Sequence, residues 1–101
     1  MIEMRQTEAY SNWFAGLRDR AARARILARI RHLSLGHVGD VKPVGGGVSE
    51  LRIDYGPGYR TYFVKRGQAL IVLLAGGDKG TQDRDIKTAL KLAEAVKREH
   101  S

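Results

Sequence analysis

"VSELRIDYGPGYRTYFVKRGQALIVLLAGG", residues 48–77, decides the fold. Three runs rich in β-branched, aromatic and aliphatic residues, about 48–55, 59–66 and 69–76, are separated by Gly-Pro-Gly at 56–58 and by Gly67-Gln68. Runs of this length with short turn-forming breaks predict antiparallel strands. The last run, ALIVLLAG, is apolar without alternation, which predicts a central strand buried on both faces. In the first run Leu51 and Ile53 are assigned to the core, so Glu50, Arg52 and Asp54 point the other way. In the second, Thr61 and Phe63 join the core set, and Arg60, Tyr62 and Val64 share the opposite face. A three-residue GPG loop sets Tyr55 opposite Tyr59 and Arg52 opposite Tyr62. It makes Arg52 and Arg60 near-diagonal neighbours, whereas a two-residue loop would flip the parity and separate them. The third strand returns to where the second began, so Gly76-Gly77-Asp78-Lys79 is expected beside Arg60.

Outside this stretch the pattern turns helical. Ile2–Arg5 suits a short edge strand. Tyr10, Phe14 and Leu17 recur at helical spacing with Trp13 beside them, behind Thr7 as N-cap. From Arg18 to Leu35 the apolar stripe is Ala22, Ile26, Ile30 and Leu33. The short break between these two helices predicts an αα-hairpin. "GHVGDVKPVGGG", residues 36–47, reads as a flexible loop that presents Lys42; it lacks the strand and the Gly-Lys-Ser/Thr ending of a phosphate-cradling loop. Residues 81–100 form a final helix, with Asp83 and Asp85 near its positive end, Lys97 and Arg98 near its negative end, and Ile86, Ala89, Leu90, Ala93 and Val96 as its packing face. The order is β-α-α-β-β-β-α, an α+β domain with a small, mostly antiparallel sheet and helices packed on one face.

The chain of 101 residues is expected to be a single domain over 1–101. It has no cysteine, hence no disulfide, thiolate nucleophile or zinc–cysteine site. No apolar run reaches bilayer-spanning length and no signal segment opens the chain, so no membrane partner and a cytoplasmic location are expected. No two histidines have metal-ligand spacing, so neither a metal nor another cofactor is expected. With 18 Lys and Arg against 11 Asp and Glu, the net charge is +7, which draws the chain toward polyanions.

The cations are not evenly used. Arg52, Arg60 and Lys79 converge on one sheet face and its rim, with Tyr55, Tyr59 and Tyr62 nearby and Lys42 and Lys65 on the flanks. Arginine is the side chain best suited to bidentate phosphate contact, and rings stack on unpaired bases. Pairing of these arginines with Glu50, Asp54 and Asp78 is the plainer alternative. Arg18, Arg20, Arg23, Arg25, Arg29 and Arg31 scatter round the helical hairpin and read as solvated surface, with contact to an RNA or an acidic partner as the sharper alternative. Trp13 reads as core.

The run "GDVKPVGGGVSELRIDYGPGYRTYF" followed by "LLAGGDKGTQDRDIKTALKLA" resembles the addiction-module killer proteins, HigB-like toxins of the RelE/ParE superfamily. The resemblance spans nearly the whole chain and implies the same β-α-α-β-β-β-α order. It implies the toxin of a type II toxin–antitoxin pair, most often one that cuts mRNA in the ribosomal A site. The partners it implies are the ribosome and mRNA, a cognate helix-turn-helix antitoxin, and operator DNA only through the antitoxin complex. Arg60 matches the family arginine on the scissile phosphate. Arg52 falls near a catalytic lysine, and Lys79 where a basic residue follows the last core strand. Lys42, Tyr55, Tyr59, Tyr62 and Lys65 are then RNA-binding candidates, and Lys79, Tyr62 and Asp78 candidate proton carriers. The chain departs from some members in placing His32, His37 and His100 outside the hairpin, and in having no tyrosine among residues 83–88. A ParE-like gyrase inhibitor that cuts nothing, or a non-toxic basic nucleic-acid-binding protein, are the alternatives.

Overall fold

The computed structural model of the protein describes residues 2–99. The elements are β1 (Glu3–Gln6), α1 (Glu8–Ala15), α2 (Arg20–Ser34), β2 (Val41–Gly45), β3 (Val48–Ile53), β4 (Tyr59–Arg66), β5 (Leu70–Asp78), a 3₁₀ turn (Lys79–Thr81) and α3 (Gln82–Glu99). This is an α+β fold with one mixed sheet of five strands in the order β1-β5-β4-β3-β2. The β1–β5 pair is parallel and the other three pairs are antiparallel.

Local chemistry explains the helix starts. Thr7 Oγ1 accepts the Tyr10 amide at 3.1 Å and donates to the Leu74 carbonyl at 2.6 Å, so one side chain caps α1 and ties it to β5. Asp19 caps α2 by accepting the amides of Ala21 and Ala22. The stripe on α2 is buried as its spacing predicts, with Ala22, Ile26 and Leu33 in the core and Ile30 packed against it. His100 lies outside the described residues.

Three expectations are corrected. Residues 41–45 form a strand rather than a flexible loop: Val41 and Val44 pack against the two apolar clusters, and Gly45, Gly46 and Gly47, at φ of 99°, 59° and 80°, turn the chain sharply into β3. The sheet carries helices on both faces, not one. Leu51, Ile53, Phe63, Ile71 and Leu73 meet Tyr10, Ile26 and Leu33 on the α1–α2 side, whereas Val48, Tyr62, Val64, Val72 and Leu74 meet Ala89, Ala93 and Val96 of α3. The amphipathic α3 needs an apolar bed, and the face assigned to solvent supplies it. Finally, Ile53 pairs with Tyr59 and Arg52 with Arg60, so the β3–β4 loop spans five residues, 54–58. The parity survives, but the two arginines are directly opposed.

Two adjacent glycines thin the sheet where β4 meets β5. Gly76 pairs with Thr61 and Gly77 with Arg60. A Cβ on Gly76 would collide with the Trp13 ring, and one on Gly77 with the Asp85 carboxylate and Thr81. The α1 and α3 side chains thus press on bare backbone from opposite faces. Gly76→Ala and Gly77→Ala should each lower stability by about 1–3 kcal/mol, the usual range for overpacking. Thermal unfolding should show a drop of roughly 4–8 °C per kcal/mol. Gly16→Ala, where the nearest atoms to a new Cβ are at 3.5 and 3.6 Å and φ is −80°, should change stability by less than about 0.5 kcal/mol.

Candidate functional site

A polar cleft of about 400 Å³ opens where the β3–β4 loop, the end of β5 and the 3₁₀ turn come together. Arg52, Arg60 and Lys79 line it with the carboxylates of Asp40 and Asp54 and the loop backbone at 56–58. Each cation comes from a different element. Arg52 leaves β3, and its backbone is pinned from both sides: its amide donates to the Asp40 carbonyl at 3.0 Å and its carbonyl accepts Arg29 Nη1 at 2.7 Å. Arg60 leaves β4 over the side-chain-free Gly77, and its Nη1 donates to the carbonyls of Gly58 and Tyr59 at 3.0 and 3.3 Å. Lys79 opens the 3₁₀ turn, exposed. The turn itself is set by Asp78, whose carboxylate accepts the Gly80 amide at 2.8 Å.

Gly58 is the residue that lets these groups approach. It sits at φ +81°, where side chains are strained, and a Cβ there would stand 3.4 Å from both Arg60 Nη1 and Lys79 Cβ.

Behind the cleft lies Glu50, fully buried with no exposed surface. Its Oε1 accepts Arg52 Nε at 3.0 Å and lies 3.6 Å from Arg60 Nε. Its Oε2 accepts the Tyr62 hydroxyl at 3.0 Å and Gln82 Nε2 at 2.8 Å. Burial on its own would raise the Glu50 pKa; the hydrogen bonds from Arg52, Gln82 and Tyr62 and the Arg60 charge outweigh it and hold the carboxyl below its ordinary value of 4.5. For Tyr62 burial and then the Glu50 charge act in the same sense, and the phenol is pushed well above its usual range. Arg60 Nε is buried and makes no hydrogen bond.

Several sequence-predicted residues take other places. Tyr62 is enclosed, so it offers no ring to a base and its hydroxyl is no proton acceptor. Tyr55 and Tyr59 turn toward the α1–α2 face. Tyr55 donates to Asp19 at 3.1 Å with the Arg25 guanidinium 4.6 Å from its ring centre, and Tyr59 meets Trp13 edge-on at 6.4 Å. These rings hold the β3–β4 loop against the helices. Lys65 is exposed on β4 but stands five residues beyond Arg60, roughly 16 Å along the strand. Lys42 opposes Glu50 from the edge strand β2 and does not line the cleft. The Asp78 carboxylate is occupied as a cap. Pairing of Arg52 and Arg60 with Glu50, the plainer alternative at the sequence level, is observed, with Glu50 buried rather than solvated; Gln82 and Asp40 are the site residues that sequence reasoning missed.

Among the described residues no group of three His, Cys, Asp or Glu side chains is placed to hold a metal ion. No described helix is long and apolar enough to cross a membrane.

A family model described as "Phage derived protein Gp49-like (DUF891)" matches residues 12–98, which include Glu50, Arg52, Arg60 and Lys79. An uncharacterized protein of Haemophilus influenzae is 46% identical over 95 residues, covering 94% of this chain and 96% of that protein.

The Glu50 network has a measurable pH signature. Because the folded carboxyl loses its proton at lower pH than the unfolded one, the unfolded chain binds more protons between those two values, and stability rises with pH there. The contribution is complete above the ordinary value of 4.5 and is lost as pH falls through the lower folded value. Urea unfolding between pH 7 and pH 3 should follow that course. Glu50→Gln should cost about 3 kcal/mol at pH 7, as for one partner removed from a buried ion pair, and should flatten the acid limb.

Proposed function

The chain belongs to the Gp49-like family of phage-derived proteins, and we propose that it is the toxin of a type II toxin–antitoxin pair, acting as a ribosome-dependent mRNA endoribonuclease. The observation that carries this reading is the convergence of Arg52, Arg60 and Lys79, from three elements, on one open cleft.

Cleavage of RNA through its own 2′-hydroxyl needs little more than that. The 2′-oxygen attacks the adjacent phosphorus, the bond to the 5′-oxygen breaks, and a 2′,3′-cyclic phosphate remains. Negative charge builds on the non-bridging oxygens, where fixed guanidinium groups are worth most. Arg60 is held by the loop carbonyls and Arg52 by Glu50, so both are set before substrate arrives. Lys79 is the exposed, rotatable cation. The proton must leave the 2′-oxygen and reach the departing 5′-oxygen, and of the ionisable groups at the cleft Lys79, Asp40 and Asp54 have access while Glu50 and Tyr62 do not. A shallow cleft suits a substrate that the ribosome already holds in line.

On this reading a helix-turn-helix antitoxin is the partner that silences the toxin, and operator DNA is reached through that complex. Induced expression should arrest growth, and co-expression of the neighbouring antitoxin gene should relieve the arrest. Primer extension on purified ribosomes carrying a defined mRNA should show cuts in the A-site codon. Arg60→Ala should reduce cleavage by about 10²-fold or more, the usual loss on removing one group that stabilises transition-state charge. Arg52→Ala, at a more exposed side chain, should act in the same direction, and Lys79→Ala should also lower the salt dependence of RNA binding by about one phosphate contact. Growth arrest without cuts would overturn the nuclease and leave a gyrase-inhibiting toxin on the same scaffold.

A further inference from the structure

We infer that Glu50 is the positioning residue of the cleft, the group that holds the Arg52 and Arg60 side chains together where a phosphate is received. This rests on the RNA-cleaving reading and adds to it a residue that never meets the RNA.

Two arginines directly opposed across β3 and β4 carry like charges and repel. Both side chains are long and costly to order. Left alone, Arg52, one-third exposed, would swing into solvent away from Arg60. Glu50 reverses that tendency. Its Oε1 stands 3.0 Å from one Nε and 3.6 Å from the other, so a single carboxylate oxygen is shared by both guanidinium groups. Using the Nε positions leaves the Nη groups of Arg52 and Nη2 of Arg60 for a ligand. The carboxylate cannot rotate away, because Oε2 is held at the same time by Tyr62 from β4 and Gln82 from α3. Arg60 Nε, buried without a hydrogen bond, stands beside Oε1 at ion-pair distance. Glu50 has no exposed surface and does not line the cleft, so its influence on a substrate passes through the two arginines.

Charge and position make opposite forecasts when the carboxylate is removed. As a mere negative charge behind the cleft, Glu50 weakens RNA binding, and neutralising it speeds or tightens everything. As a positioning group it is needed for the chemical step, and neutralising it slows cleavage even where RNA binds as well or better.

The test uses the full chain and its Glu50→Gln variant in two assays. Arginine side-chain ¹⁵N NMR should show slowly exchanging Nε–H signals for Arg52 and Arg60 in the wild type. In the variant the Arg52 signal should collapse to the solvent-exposed position and the Arg60 signal, still buried and tied to the loop carbonyls, should shift, while the backbone amide spectrum of the sheet is kept. Ribosomal cleavage by the variant should show kcat lowered at least tenfold with KM unchanged or reduced. Unmoved Nε–H signals, or a variant that keeps kcat while binding RNA more tightly, would overturn the inference. Should Glu50→Gln fail to fold, Glu50→Asp keeps the buried charge one methylene short. It should weaken the Arg52 signal and lower kcat about threefold, and full wild-type values for both would likewise overturn it. A wild type that cuts no RNA defeats the nuclease reading alone, since the Nε–H comparison still decides whether Glu50 holds the arginines.

Discussion

A carboxylate sealed inside a small protein must be answered in full by its neighbours, because water cannot reach it. Glu50 imposes that condition here, and the surrounding structure is arranged to meet it. Arg52 and Arg60 bring the charge, Tyr62 and Gln82 bring the remaining hydrogen bonds, and these groups belong to β3, β4 and α3. The final helix therefore docks with a polar constraint at its first residue and an apolar stripe along the rest, which fixes both its position and its rotation. A buried ion pair adds little net stability over a well-packed apolar core. What it provides at this place is definition: two cations that solvent would scatter are kept within reach of one another.

The cleft depends equally on missing side chains. Gly58 admits Arg60 and Lys79, Gly77 leaves room for Asp85 beside Arg60, and Gly76 admits Trp13 on the reverse face. Helices can press on both sides of the sheet at its narrowest point. The open end of β4 and β5 is thereby anchored on a rigid element, while the loop that rims it is clipped to α2 through Tyr55 and Asp19. A site built on strand ends with a tethered loop holds its geometry without a deep pocket.

Much of this was legible in the residues. Thr7 as a cap, the stripe of Ala22, Ile26 and Leu33, the apolar run of β5 and the return of Gly77 to Arg60 all follow from local periodicity and strand reversal. So does the shared face of Arg52 and Arg60, although the five-residue loop moved their register by two. The burial of that face was not read correctly. Alternation says that Glu50 and Leu51 point to opposite sides but not whether either side is wet, and the deciding clue lay in the stripe on α3, which needed a surface the α1–α2 side had no room to give. The tyrosines misled for a related reason. An aromatic ring beside a cation suits base stacking and suits packing equally well, and here Tyr55 and Tyr59 packed while Tyr62 was consumed by Glu50.

The parallel pairing of β1 with β5 joins Glu3 to Leu70 and leaves the first strand made without a neighbour until the last strand exists. Contacts between such distant segments close slowly, because the intervening chain must first give up its freedom. Arg60 likewise waits for Gly77, and Lys79 takes its place only with the turn it opens. During synthesis, then, the half-made chain holds no assembled cleft. The topology that closes the sheet also postpones the cleft until β5 and the turn after it have been made.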